Sequence, residues 1–176
     1  TNGIFAFDTA PSYRTERILG KALNKCMSEQ LVDRESLFIQ SKIDGWQMQE
    51  GKIEKYTRTV LKDMNLEYLD ALLIHWPFPE YLEDTWNKLL HLKSIGLVKK
   101  IGICNLRERN INELLTNGII PEILQIERNP LNTMEEEVIL SRNLNIGVQA
   151  YSPLCKMDER IKESSLLLEI ARKYNK

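Results

Sequence analysis

The stretch that decides the fold is Gly3–Thr15, the apolar run GIFAFD followed by TAPSYRT. A short apolar run bounded by turn residues reads as a buried strand. In a doubly wound nucleotide-binding sheet, the turn after the first such strand is glycine-rich, because the backbone there must approach a phosphate closely. Thr9–Thr15 contains no glycine. It supplies hydroxyls, a proline, a tyrosine and an arginine instead, which removes the main reason for choosing an open, doubly wound sheet.

Working outward, the same alternation continues to the end of the chain. Strands are expected at Gly3–Asp8, Ser36–Ser41, Leu69–His75, Lys100–Cys104, Glu122–Glu127 and Gly147–Tyr151. Between and after them lie helical stretches at Glu16–Lys25, Lys52–Met64, Glu80–Ile95, Glu108–Thr116, Met134–Arg142 and Glu163–Tyr174. In the first helix Ile18, Leu19, Ala22 and Leu23 share one side. In the second, Ile53, Thr57, Val60, Leu61 and Met64 recur at helical spacing. The third, which follows the third strand, carries Leu82, Trp86, Leu89 and Leu90, with Gly96 as its C-terminal stop. The strands are apolar almost throughout, as in parallel sheets buried on both faces. Regular βα alternation without a linker or repeat predicts one α/β domain over residues 1–176. The strand ends choose its type. Asp8, Lys42, His75, Asn105, Gln125 and Tyr151 sit at or near the ends of successive strands, as in barrels whose strands all feed one site.

Bulk properties narrow the function. The 176 residues carry 24 Lys+Arg against 25 Asp+Glu, a net charge of −1 with the signs intermixed. Nothing in that balance draws nucleic acid or an anionic membrane surface. No apolar run is long enough to span a bilayer, and the N-terminal residues lack the pattern of a signal peptide. Three widely spaced cysteines, Cys26, Cys104 and Cys155, suggest free thiols in a reducing cytoplasm rather than a disulfide framework. With two histidines, a histidine-based metal site is not expected.

Four strand-end residues form a chemically complete set. A phenol ionises near a pKa of about 10, too high for an efficient acid at neutral pH. An adjacent ammonium lowers that value. Tyr13 is the phenol, Lys42 the ammonium, Asp8 the carboxylate that holds the lysine charged, and His75 a hydrogen-bonding partner for a carbonyl oxygen. Such a set suits protonation of a carbonyl oxygen while hydride reaches its carbon. Taken singly, the four read as a turn cap, a rim tyrosine, a surface lysine and a core histidine. Their shared position at one end of consecutive strands favours the chemical reading.

The segments FDTAPSYRTERILGKAL (7–23), LEYLDALLIHWP (66–77), GLVKKIGICNL (96–106), QIERNP (125–130) and AYSPL (150–154) resemble, in order, motifs of the aldo-keto reductase family. The resemblance implies a (β/α)8 TIM barrel of which this chain holds six βα units, with no counterpart to strands one and eight. It implies Tyr13 as general acid, tuned by Asp8 and Lys42, with His75 orienting the carbonyl. Asn105 and Gln125 are implied to hold the carboxamide of NADPH, with Cys104 beside them and Tyr151 stacked on the nicotinamide. Ser152 and Leu154 are implied to lie by its diphosphate. Trp46 and Trp76 are candidates for walls of the substrate pocket, with packing in loops as the alternative.

Two positions depart from the family pattern. Arg14 follows the tyrosine where glycine is usual, so either the loop takes another path or the arginine reaches for an anionic group. Cys104 replaces a serine and is the weaker hydrogen-bond partner. The chain is also short of the roughly 250 residues of such barrels. Mobile termini, a truncated product, or two chains completing one sheet are the explanations weighed, and the first is preferred. The function expected is NADPH-dependent reduction of an aldehyde, ketone or sugar carbonyl by a cytoplasmic monomer or weak homodimer. The alternatives are a non-catalytic scaffold, a truncated inactive homologue, or a different barrel enzyme that forms a Schiff base on Lys42.

Overall fold

A computed structural model describes residues 3–175, apart from the side chains of Glu108 and Arg109. Six strands, β1 (Ala6–Asp8), β2 (Phe38–Ile43), β3 (Leu69–Ile74), β4 (Val98–Cys104), β5 (Ile123–Glu127) and β6 (Gly147–Tyr151), form one sheet. They lie in the order β1-β2-β3-β4-β5-β6, and every neighbouring pair is parallel. Each connection therefore steps to the next strand in the same direction, without the reversal of a doubly wound sheet. The helices between them are α1 (Glu16–Ser28), α2 (Gly45–Glu50), α3 (Ile53–Met64), α4 (Pro79–Ser94), α5 (Glu108–Thr116) and α6 (Glu135–Asn143), followed after β6 by α7 (Glu159–Lys162) and α8 (Ser165–Tyr174).

The sheet is strongly curled. Gln40 on β2 and Gln149 on β6 are four strand gaps apart, or about 19 Å in a flat sheet. Their side-chain amides nonetheless exchange hydrogen bonds of 2.9 and 3.0 Å. Only an arc that turns its inner face upon itself brings them together. That inner face carries Ala71, Leu73, Cys104 and Ile123 as a small core. A Cβ on Gly102 would lie 2.3 Å from the Ile123 carbonyl oxygen, so β4 and β5 meet there with no room for a side chain. Residues of the opposite parity, among them Ile39, Leu72, Ile101 and Leu124, pack outward against the helices as the main core.

Local differences from the sequence reading have identifiable causes. β2 runs two residues later than expected because Arg34–Ser36 forms a 3-10 turn, with the Ser36 hydroxyl bonded to the Asp33 carbonyl at 2.8 Å. Lys42 thus lies inside the strand. β1 begins at Ala6, since Gly3 has a φ of +70°. Two short helices, α2 and α7, were unanticipated. At α2 the Gln47 side chain accepts from the Asp44 N–H at 2.9 Å, one half of a capping box, and Gly51 ends the helix at φ +66°. On α1, Ile18 is 69% exposed and Ala22 is also exposed, contrary to expectation. Close approach of Gly20 to the Met64 backbone turns Gly20 and Leu23 inward instead. Leu90 of α4 is likewise exposed, while Leu82, Trp86 and Leu89 are buried. Burial on both faces holds for β2 and β3 and for most of β4 and β5, where Lys99, Lys100 and Glu127 are exposed; β1 and β6 are edges and remain partly exposed.

Candidate active site

The C-terminal ends of the strands gather the polar residues. Lys42 points inward from β2, and its side chain is 0% exposed. Its ammonium donates to both Asp8 oxygens at 2.7 Å and to the Thr9 carbonyl at 3.0 Å. A buried ammonium needs such partners, since an unpaired charge there costs several kcal/mol. Asp8 closes β1, and it also accepts from the Gln40 amide at 2.7 Å.

Tyr13 ends the 3-10 turn Pro11–Tyr13. A 2.8 Å bond between the Thr9 and Thr15 hydroxyls ties the two ends of this loop. The Lys42 ammonium lies 4.9 Å from the centre of the Tyr13 ring. The same ring meets His75 edge-on, with centroids 5.7 Å apart. His75 follows β3 directly, and its N–H bonds the Ile43 carbonyl at 2.9 Å. Asp8, Tyr13, Lys42 and His75 are therefore brought together. Arg14 takes φ +56°, a left-handed conformation, so this loop holds an arginine in a region that glycine enters without strain.

Asn105 follows β4 directly. Its amide donates to the His75 carbonyl and accepts from the Tyr151 hydroxyl, both at 2.9 Å. Burial, with Glu127 next, pushes the Tyr151 phenol above its usual range. Gln125 lies within β5; its amide donates to Gln149 at 3.0 Å and accepts from the Cys104 thiol at 3.6 Å. Burial pushes that thiol up to about 12, so Cys104 is an inert core residue. Ser152 has a φ of +48° and starts a tight turn in which Cys155, Lys156 and Met157 are also left-handed. Leu154 is exposed.

The two tryptophans part company. Trp76 stacks on His75 at 6.3 Å. It lines a 240 Å³ cleft with Asn105, Arg107, Met134 and Tyr151. Trp46 lies in the first turn of α2, half exposed, with its ring edge-on to Tyr56 at 5.0 Å. Residues that the sequence reading passed over also belong to the site. The Asp44 carboxylate accepts from His75 Nδ1 at 2.6 Å. Gln40 and Gln149 link Asp8 to Gln125 through an unbroken chain of amides. Inward parity with Lys42 and Gln125 was the available signal for the glutamines. For Asp44, the D-x-x-Q pattern at Asp44–Gln47 points to a helix cap and conceals a second role. Among the described residues, no cluster of His, Cys, Asp or Glu is arranged to hold a metal ion, and no helix is long and apolar enough to cross a membrane.

A singly wound parallel arc with its polar residues gathered at one rim defines the class of βα barrels. The chain belongs to the aldo/keto reductase family, whose model matches residues 1–157. It is 33% identical over 177 residues to methylglyoxal reductase DkgA of Salmonella typhimurium, covering 99% of this chain and 62% of that protein. It is 34% identical over 182 residues to glyoxal reductase of Bacillus subtilis, with the same coverage. Among solved structures, the Bombyx mori aldo-keto reductase AKR2E4 in complex with NADP matches with a TM-score of 0.89 at 30% identity, over 98% of this chain and 62% of that one. The chain thus spans about 62% of the length of these relatives, and its six βα units form a curled part of the family's (β/α)8 barrel.

Proposed function

We propose that this chain carries the proton-donating site of an NADPH-dependent reductase that converts a small aldehyde, ketone or sugar carbonyl to an alcohol. The observation that carries the reading is the convergence of a buried, carboxylate-bound ammonium, a phenol and an imidazole at one rim. Tyr13 gives its phenolic proton to the carbonyl oxygen. The Lys42 ammonium stabilises the negative charge left on the phenol oxygen, and Asp8 keeps that ammonium charged and in place. His75 binds and orients the same carbonyl oxygen, while Trp76 walls the approach.

The residues present fit a nicotinamide. Asn105 and Gln125 offer both a donor and an acceptor, the pairing a carboxamide requires, and Tyr151 offers an aromatic face in the 240 Å³ cleft. Asn105, Gln125 and Tyr151 would hold the ring, with Ser152 and Leu154 near the diphosphate. When bound, the cofactor supplies the hydride. The NADP bound to the relative AKR2E4 and the NADPH bound to a second relative, the aldo-keto reductase AKR2E5, support this choice. The setting of the reading is a cytoplasmic monomer or weak homodimer, which unpaired cysteines suit.

The test is Tyr13→Phe in the purified protein, with NADPH oxidation followed on methylglyoxal and glyoxal, the compounds in the names of two relatives. Loss of a single positioned acid lowers turnover by about 100-fold or more, with circular dichroism and NADPH binding retained. Unchanged turnover would overturn the assignment of Tyr13.

A further inference from the structure

His75 is held from two sides, and the two holds leave one nitrogen over. Its Nδ1 lies 2.6 Å from Asp44 Oδ1. Its ring is also fixed by the Tyr13 edge at 5.7 Å and the Trp76 face at 6.3 Å. Nε2 makes no hydrogen bond to another described residue. Asp44 is itself buried, 7% exposed, and its Oδ2 has no hydrogen-bond partner. Its Oδ1 also accepts from the Ser12 hydroxyl at 3.4 Å. A carboxylate only accepts hydrogen bonds, so a 2.6 Å contact with Nδ1 requires the proton on Nδ1.

We infer that Asp44 is the positioning residue of His75: it holds the Nδ1–H form of the ring and dedicates Nε2 to the substrate oxygen. This deepens the reductase reading and rests on it for the identity of that oxygen. Nε2 then presents a lone pair when the ring is neutral and an N–H when the ring is an imidazolium, and a carbonyl oxygen, itself an acceptor, is bound by the second form. Without Asp44, a neutral histidine is free to carry its proton on either nitrogen and to turn about its side-chain bonds. Asp44 is placed for this by the local sequence. It follows Lys42 by two residues at the end of β2, and its role at the start of α2 fixes its backbone. The hydrogen bond from the His75 N–H to the Ile43 carbonyl brings the histidine alongside.

The experiment is nitrogen-15 NMR of the side chains, made simple by the presence of only two histidines, His75 and His91. His91→Gln assigns the signals. In the unmodified protein, neutral His75 shows a protonated Nδ1 and an unprotonated Nε2; a protonated Nε2 in the neutral ring overturns the inference outright. Asp44→Ser keeps a residue that caps helices well but is too short to reach the ring. It is expected to shift neutral His75 towards the Nε2–H form. An unchanged tautomer in folded Asp44→Ser protein overturns the inference. The NMR result stands without any turnover. A protein that shows the Asp44-dependent tautomer but reduces no carbonyl therefore defeats the reductase reading alone, and one that reduces carbonyls without it defeats the role of Asp44 alone.

Discussion

The Lys42 side chain is wholly buried, whereas the Asp8 carboxylate that binds it at 2.7 Å remains 40% exposed. The pair is therefore asymmetric, and so are the consequences of breaking it. Asp8→Asn strands a buried ammonium with the Thr9 carbonyl as its remaining strong acceptor. It should cost about 3 kcal/mol, the low end for a broken buried pair because Thr9 persists. Lys42→Met removes the buried charge and leaves a carboxylate that water can reach, so its cost should be smaller. Urea denaturation of the two variants checks the order. Both should lose carbonyl reduction, which separates the stability effect from the chemical one.

The amide bridge between Gln40 and Gln149 spans the inside of the arc rather than neighbouring strands. If this contact helps to hold the curl, the two residues are energetically coupled. Replacing each by leucine, singly and together, should give a coupling energy of about 1 kcal/mol in a double-mutant cycle, the usual scale for side chains in direct contact. Gln149→Leu also frees the Gln125 amide from its 3.0 Å partner. That variant should show altered NADPH affinity, measured by tryptophan fluorescence, whereas Gln40→Leu should perturb the Asp8 side of the chain.

Arg14 holds a φ of +56° directly after Tyr13. A residue with a Cβ is disfavoured there by about 1 kcal/mol, and glycine is not. Arg14→Gly should therefore cost little stability despite the added freedom of the unfolded chain, and thermal unfolding should show a change within about 1 kcal/mol of zero. If the arginine has a role with anionic substrates, KM for a carbonyl compound bearing a carboxylate should rise in Arg14→Gly while KM for methylglyoxal stays unchanged.

Much of this architecture is legible in the sequence, for a physical reason. Strands buried on both faces are written as largely apolar runs, so ALLI (71–74) and IGIC (101–104) announce themselves, and the polar residue after each is conspicuous. Asp8, Lys42 and His75 were found in that way. What escaped depends on contacts distant in the chain. Ile18 fits an apolar helix face as well as Gly20 does, and only the approach of Gly20 to Met64 decides which side turns inward. Asp44 was hidden because one residue starts a helix and holds a histidine from another strand. Trp46, one turn away from Lys42 in sequence, is set beside Tyr56 by α2, a contact with a residue of another helix that no local pattern announces.

Glu16 offers a test by pH. Its carboxyl lies at the start of α1, where Ser41 donates to it at 2.5 Å. Burial is the largest influence and raises its pKa above the ordinary 4.5; the Ser41 bond opposes this, and Asp44 and Asp63 reinforce the rise. Because the folded value lies above the unfolded one, folding favours the protonated acid. That contribution is full below the unfolded value and is lost as pH rises through the folded one. At neutral pH, Glu16 therefore burdens the fold with a poorly solvated charge. Glu16→Gln, which keeps an oxygen for the Ser41 hydroxyl, should raise the melting temperature at about pH 7 and change it little at about pH 4. Scanning calorimetry at the two pH values separates this from a packing effect, since a packing effect would be the same at both. Equal shifts at the two values, or a loss confined to neutral pH, would mean that Glu16 is better solvated than its burial suggests.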